Sequence, residues 1–284
     1  MTRCLFVSDL HGHGAWYERL LELIAAERPD AVFIGGDFLP KGASAEALAP
    51  SDFVRGFLPR ELALSRERMS AQFPRIFLIM GNDDERAHEP AVQEMERRGL
   101  LEYVHNRRVA IRSFSVYGYA FVPPTPFSLK DWERYDLSRY VDPGSISPEE
   151  GRYSVPVDER ERKYSTIEAD LDRLAGDSAL DQAVFLCHAP PYDTHLDRAA
   201  LDGVMVDGVP LDVHVGSIAM RRFIERRQPL LTLHGHIHES ARLSQAWRDR
   251  IGRTHLFSAA HDGPELAIIR FDLENLEDAV RALI

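Results

Sequence analysis

Two residue types are scarce in this chain of 284 residues, and each scarcity excludes something. Only two cysteines occur, Cys4 and Cys187, both inside apolar runs where a free thiol acts as a small apolar side chain. A scaffold stapled by disulfides is excluded, and a reducing cytoplasm is the expected compartment. Lysine appears only as Lys41, Lys130 and Lys163, so arginine supplies nearly all the positive charge. Long apolar runs are also missing. None approaches membrane-spanning length, and Met1 leads into a strand-like run with no basic and apolar leader. A soluble protein without a membrane partner is expected. The formal net charge is -11, and the clustered Lys and Arg that neutralise nucleic-acid phosphates are not apparent. An extended nucleic-acid surface is therefore not expected, although metals could still hold a small anion.

What is present is a 44% hydrophobic chain, enough for a sizeable core in one domain spanning residues 1–284. Five apolar runs of strand length each end in residue types that ligate metals. Cys4-Leu5-Phe6-Val7-Ser8 leads to Asp9 and His11, and Ala31-Val32-Phe33-Ile34 leads to Gly35-Gly36-Asp37. Ile76 to Met80 leads to Gly81-Asn82-Asp83-Asp84, and Ala183 to Cys187 leads to His188. Pro229 to Leu233 leads to His234-Gly235-His236-Ile237-His238. A histidine cluster alone also fits a surface tract. Five such strand ends in concert point instead to the crevice where the C-terminal ends of strands meet in α/β sheets. Gly235 would let the backbone pass close to whatever the flanking histidines hold.

Between these blocks, Trp16, Leu20, Leu23 and Ile24 recur at helical spacing from Ala15 to Arg28, which predicts a parallel strand-helix-strand unit. A small-residue loop is expected over Phe38–Ala49. Ser51-Asp52 is expected to cap a long helix reaching about Phe73, with Pro59 kinking or dividing it. A helix around Pro90–Arg98, antiparallel strands over Arg108–Ser113 and Val116–Val122, and a helix from Ser165 to Ala175 follow. The aromatic but aperiodic stretch from Pro123 to about Lys163 reads as an ordered, lid-like insertion that selects substrate. After His188, the Pro-rich loop Ala189–His195 places Tyr192, Asp193 and His195 near the same crevice. Ser217 is expected to cap the helix Ile218–Arg227, and free amides at Gly216 and Ser217 are candidate anion contacts. Strands near Thr254–Ser258 and Glu265–Asp272 and a terminal helical turn complete the chain.

Asp-x-His, Gly-Asp, Gly-Asn-x-Asp, a single His and Gly-His-x-His, in this order from Asp9 to His238, resemble the calcineurin-like metallophosphoesterases. The resemblance implies a four-layer αββα sandwich with two mixed sheets and a dinuclear metal centre. It assigns Asp9, His11 and His238 to one metal and Asn82, His188 and His236 to the other, with Asp37 bridging. It further implies hydrolysis of a small phosphomonoester, phosphodiester or nucleotide by a metal-bridging hydroxide. The mixed N and O donors suit two divalent or trivalent ions of Mn, Fe, Zn or Ni.

One position departs from the pattern. The family commonly carries histidine after Gly-Asn, protonating or stabilising the leaving oxygen, where this chain has Asp83. An ordinary aspartate, with a pKa of about 3.9, would be ionised at neutral pH and unable to donate a proton. His13, His195 and His214 are the candidate substitutes, and Asp84 is expected to orient a neighbour. The family also implies a rival reading, a non-catalytic scaffold that binds protein partners. Metal-competent residues at all seven ligand positions favour the enzyme. The oligomeric state is left open, a homo-oligomer included.

Overall fold

The computed structural model describes residues 1–41 and 48–284. Positions 42–47 of the expected Phe38–Ala49 loop lie outside the described residues. The strands are β1 (Arg3–Val7), β2 (Ala31–Gly35), β3 (Arg75–Ile79), β4 (Glu102–Tyr103), β5 (Arg108–Ile111), β6 (Phe114–Tyr119), β7 (Ala183–Cys187), β8 (Met205–Val206), β9 (Val209–Pro210), β10 (Leu231–His234), β11 (Arg248–Ile251), β12 (Thr254–Ser258), β13 (Ala267–Asp272) and β14 (Asn275–Leu283). The helices are α1 (Gly14–Glu27), α2 (Pro50–Asp52), α3 (Leu58–Met69), α4 (Glu89–Arg97), α5 (Glu159–Tyr164), α6 (Ile167–Ala175), α7 (Ile218–Arg227) and α8 (Ser240–Ser244).

Two six-stranded sheets form, in the orders β14-β13-β1-β2-β3-β4 and β11-β12-β10-β7-β6-β5. Each is mixed. β1, β2, β3 and β4 run parallel, β13 pairs antiparallel with β1, and β14 pairs antiparallel with β13. In the other sheet β12, β10, β7 and β6 run parallel, with β11 and β5 antiparallel at the edges. The apolar runs explain this arrangement, because strands buried on both faces must be apolar throughout. β2 and β7 are buried at every residue. The inner faces meet at Phe257 and Phe271, whose ring centroids lie 5.8 Å apart. Outside the first sheet, Tyr17 of α1 packs edge-on to Phe53 at 5.1 Å. Outside the second, Phe223 of α7 lies 5.1 Å from Phe185 of β7. The result is the four-layer αββα sandwich expected from the resemblance.

Two local expectations are corrected. The helix expected from Ser51 starts at Pro50, with Ala49 at the N-cap and no side-chain cap, because Pro already suits the first helical position. It continues through a π-helical stretch, Phe53–Phe57, into α3. Pro59 lacks an amide proton and its ring crowds the carbonyl four residues earlier, which the wider turn just before it accommodates. The terminal helical turn is instead β14, antiparallel to β13. A register irregularity between Arg270 and Asp272 buries Leu276 and Ala279, three residues apart, so a strand carries helix-like spacing.

The 123–163 segment is packed into the body. Trp132 is fully buried and its indole N–H donates to Asp84 O at 2.8 Å. Asp131 accepts the amides of Arg86 and Ser154 at 2.8 and 2.9 Å. A buried Lys130–Glu133 ion pair is anchored by Thr125, whose amide donates to Glu133 at 2.7 Å. The segment also contains α5, capped by Asp158, which the lack of periodicity concealed. Among the described residues, no helix is long and apolar enough to cross a membrane.

His105 packs edge-on to Trp132 and accepts the Ala120 amide at 3.0 Å on Nδ1. Burial, then the charges of Arg134 and Arg86, push its pKa from 6.5 down to about 3. Below pH 6.5 the unfolded chain therefore binds a proton that the folded chain does not. Stability from the neutral ring is fully present above pH 6.5 and is lost as pH falls toward 3. Between these limits it should decline by about 1.4 kcal/mol per pH unit for this one proton. Urea unfolding at pH 4.5 to 6 should show a slope shallower by this amount in His105→Gln.

Candidate metal centre

The five predicted strand ends meet. β1, β2 and β3 are neighbours in one sheet and β7 and β10 in the other, so their C-terminal turns face one another across the sandwich edge. Asp9, His11, Asp37 and His238 each offer a ligand atom, and these atoms all lie within 4.8 Å of one another. His238 Nε2 is 3.4 Å from Asp9 Oδ1 and 3.3 Å from His11 Nε2. On the other side of Asp37, His188 Nε2 lies 3.3 Å from Asp37 Oδ2 and 3.1 Å from Asn82 Oδ1. The rings of His188 and His236 have centroids 5.2 Å apart. Asp37 thus touches two sets of donors, the arrangement expected of a bridge.

The turns are built to bring these groups close. Asp9, His11, Asp37 and His236 all have positive φ, between 43° and 74°, a conformation that costs energy in residues with a side chain. His236 N–H donates to both Asp9 carboxylate oxygens at 3.1 and 3.2 Å, tying the sheets together. His188 Nδ1 bonds Gly35 O at 2.7 Å, which turns Nε2 toward Asn82 and Asp37. Asp84 accepts the amides of Gly81 and Leu39 at 2.9 Å and Phe38 at 3.3 Å, clamping the β2 and β3 turns. This matches its expected orienting role. A Cβ on Gly235 would lie 2.0 Å from Ser8 Oγ and 2.5 Å from Asp9 Oδ2. His234, fully buried, bonds Ala189 O and Thr232 Oγ1 at 2.8 and 2.7 Å and so supports the turn.

Electrostatics follow the geometry. Burial opposes ionisation of Asp9, but the hydrogen bond and charge of His238 outweigh it and hold the carboxyl at about 2. Burial likewise opposes ionisation of Asp37, yet His188 holds it well below the usual range. His188 is correspondingly raised to about 10, because Asp37 overcomes the penalty of burial. Burial dominates at His11 and His236, which fall to about 4 and 3 and are neutral at pH 7. Ionised carboxylates, the neutral imidazoles of His11 and His236 and an amide oxygen form donor sets that fit divalent cations, and His188, which carries a proton while it faces Asp37, would release it on binding one. The Nδ1 of His11 is buried without a hydrogen-bond partner, a polar atom left unsatisfied beside the cluster.

The remaining candidates are placed differently. Asp83 is not an ordinary aspartate. Burial, then the charge of Asp37, raise its carboxyl to about 6, opposed by Lys41. Its amide donates to Asp37 Oδ1 at 2.8 Å, and its carboxylate pairs with Lys41. Lys41 was not among the sequence candidates; its signals were its rarity and its place four residues beyond Asp37. His13 stacks on Trp16 at 4.6 Å, at the start of α1. His195 is exposed and bound to Asp249 of β11, at 2.9 Å through both its amide and Nδ1. His214 Nδ1 bonds the buried Asp197 at 2.8 Å, and the Tyr192 hydroxyl donates to Asp212 at 2.6 Å.

Gly216 and Ser217 depart from their expected anion-binding role. Ser217 does cap α7, donating to Asp136 at 2.5 Å and accepting from the Met220 amide at 3.0 Å. The Gly216 and Ser217 amides are taken by Asp197 and Pro190 O, and those of Ile218 and Ala219 by Asp136. The protein's own carboxylates fill the site because buried amides need acceptors. Neither Asp136 nor Asp197 was singled out in the sequence, and Ser217 lies 81 positions from Asp136 and Gly216 lies 19 from Asp197.

The model of the calcineurin-like phosphoesterase family matches residues 2–240, and the chain belongs to that family. TT1561 of Thermus thermophilus, a solved structure, is 16% identical with a TM-score of 0.58, over 99% of this chain and 98% of that one. A dimetal phosphatase from Danio rerio is 13% identical with a TM-score of 0.50, over 99% and 95%. At these identities the likeness shows the shared fold. No curated protein matches the chain.

A Cβ on Gly81 would fall 2.2 Å from Asp37 Oδ1 and 2.7 Å from His188 Nε2. Gly81→Ala should therefore displace both side chains at a cost of about 1–3 kcal/mol. Metal content of the purified variant should fall below that of the wild type while far-UV circular dichroism is unchanged.

Proposed function

We propose that the protein is a dinuclear metal-dependent phosphoric ester hydrolase acting on a small phosphomonoester, phosphodiester or nucleotide. The observation that carries this reading is the position of Asp37 between two donor sets, one with Asp9, His11 and His238, the other with Asn82, His188 and His236. Membership of the phosphoesterase family supports it. Two bound cations, Mn, Fe, Zn or Ni, would supply an ionisable water and neutralise the phosphoryl oxygens.

The chain's own groups do the rest. Asp9 and Asp37 set the charge of the site, and Asp37 fixes the separation of its halves. The Gly35 carbonyl holds His188 with Nε2 directed inward, and Asp84 keeps the two acidic turns in register. The ordered 123–163 segment borders the Asp84–Arg86 turn through Trp132 and Asp131, so it is the proposed determinant of substrate choice within a single domain. A cytoplasmic location is part of the proposal, supported by two buried, unpaired cysteines.

The test combines metal analysis with hydrolysis of 4-nitrophenyl phosphate and bis(4-nitrophenyl) phosphate in added manganese. Two metal equivalents with turnover on either substrate are expected. Asp37→Ala should lose at least one equivalent and slow hydrolysis by at least about a hundredfold. Full activity in that variant would refute the bridge. Bound metal without turnover on any phosphoester of a nucleotide and sugar-phosphate panel would favour the protein-binding scaffold.

A further inference from the structure

Lys41 belongs to none of the roles described so far, yet it stands at the mouth of the cluster. Its ammonium contacts Asp83 Oδ2, with 50% of its side chain exposed against 19% for Asp83. The backbone leading to it is pinned from two sides. Asp84 accepts the amides of Phe38 and Leu39, and Gly12 N–H donates to Phe38 O at 3.1 Å. Pro40 lies so close to Gly12 that a Cβ there would be 2.3 Å from Pro40 Cγ. Asp83, which holds the ammonium, has its own amide on Asp37 Oδ1. Lys41 is therefore tied to the central carboxylate through one intervening residue. A lysine serving only to neutralise buried carboxylates would be covered along with them; this one keeps solvent access.

We propose that Lys41, positioned by Asp83, contacts the phosphoryl group of the substrate and places positive charge beside its departing oxygen. This rests on the metal-dependent reading above. An ammonium has three donors and no acceptor, so pairing with Asp83 leaves donors for substrate oxygens. A fixed cation facing developing negative charge stabilises the transition state without a proton transfer. The pair so formed occupies the place where the family commonly has a histidine. Asp83 is then a positioning residue, with its carboxylate turned to Lys41.

The test is calorimetric binding of inorganic phosphate to the metal-loaded protein, with metal content measured on the same samples. Lys41→Gln should weaken phosphate binding by about tenfold or more at unchanged metal content, the loss expected for one charged hydrogen bond. Lys41→Arg should recover part of the loss, and Asp83→Asn should fall between wild type and Lys41→Gln. In hydrolysis, Lys41→Gln should slow phenyl phosphate more than 4-nitrophenyl phosphate, because the poorer leaving group depends more on nearby positive charge. A purely structural role would slow both alike. Equal phosphate affinity in wild type and Lys41→Gln at equal metal content overturns the proposal. Failure of the wild type to take up metal would show separately that the underlying metal reading is wrong, and this inference would fall with it.

Discussion

Two buried carboxylates facing each other's neighbouring imidazoles impose the central constraint on this molecule. Asp9 and Asp37 are almost wholly shielded from solvent, and burial alone would drive both toward the neutral form. They stay ionised because His238 and His188 are held against them, which demands that turns from two different sheets interlock at ångström precision. Left-handed backbone at four of the cluster residues and missing side chains at Gly81 and Gly235 are the local costs of that closeness. The large apolar interior of the sandwich supplies the stability that offsets them.

The same constraint explains why the surrounding polar groups are so fully committed. Asp84 clamps two turns with three amide bonds, and Asp197 accepts the amides of Asp193, Thr194 and Gly216 besides bonding His214. Asp136 reaches from the 123–163 segment to the start of α7. Buried carboxylates thus act here as tethers between loops, a role that depends on the backbone amides they meet. Lys41, paired with Asp83, contrasts with them in being half-exposed.

The metal-competent residues were legible because they sit directly after apolar strands, and a strand's direction carries the next few residues to a defined edge. Asp9, Asp37, Asn82, His188, His236 and His238 needed only that rule and the family resemblance to be brought together. The groups around them were harder to read. Lys41 follows a turn whose path is decided by Gly12 and Asp84, and Asp83 could not be recognised as half of an ion pair from its neighbours in the chain. Ser217 was legible as a cap, but the occupation of the same helix start by Asp136 depends on a residue some eighty positions away.

By itself the sequence determined the five strand ends and the donor types they deliver, because these depend on local hydrophobic runs and on residues adjacent to them, whereas the αββα layering was implied only by the family resemblance. Tertiary structure alone decided that the C-terminal residues Asn275–Leu283 are a strand, since an edge pairing with β13 overrode a helix-like spacing. It also decided which polar groups remain available near the centre. Availability depends on which donors and acceptors have already found partners across the fold, and spacing along one chain does not record that.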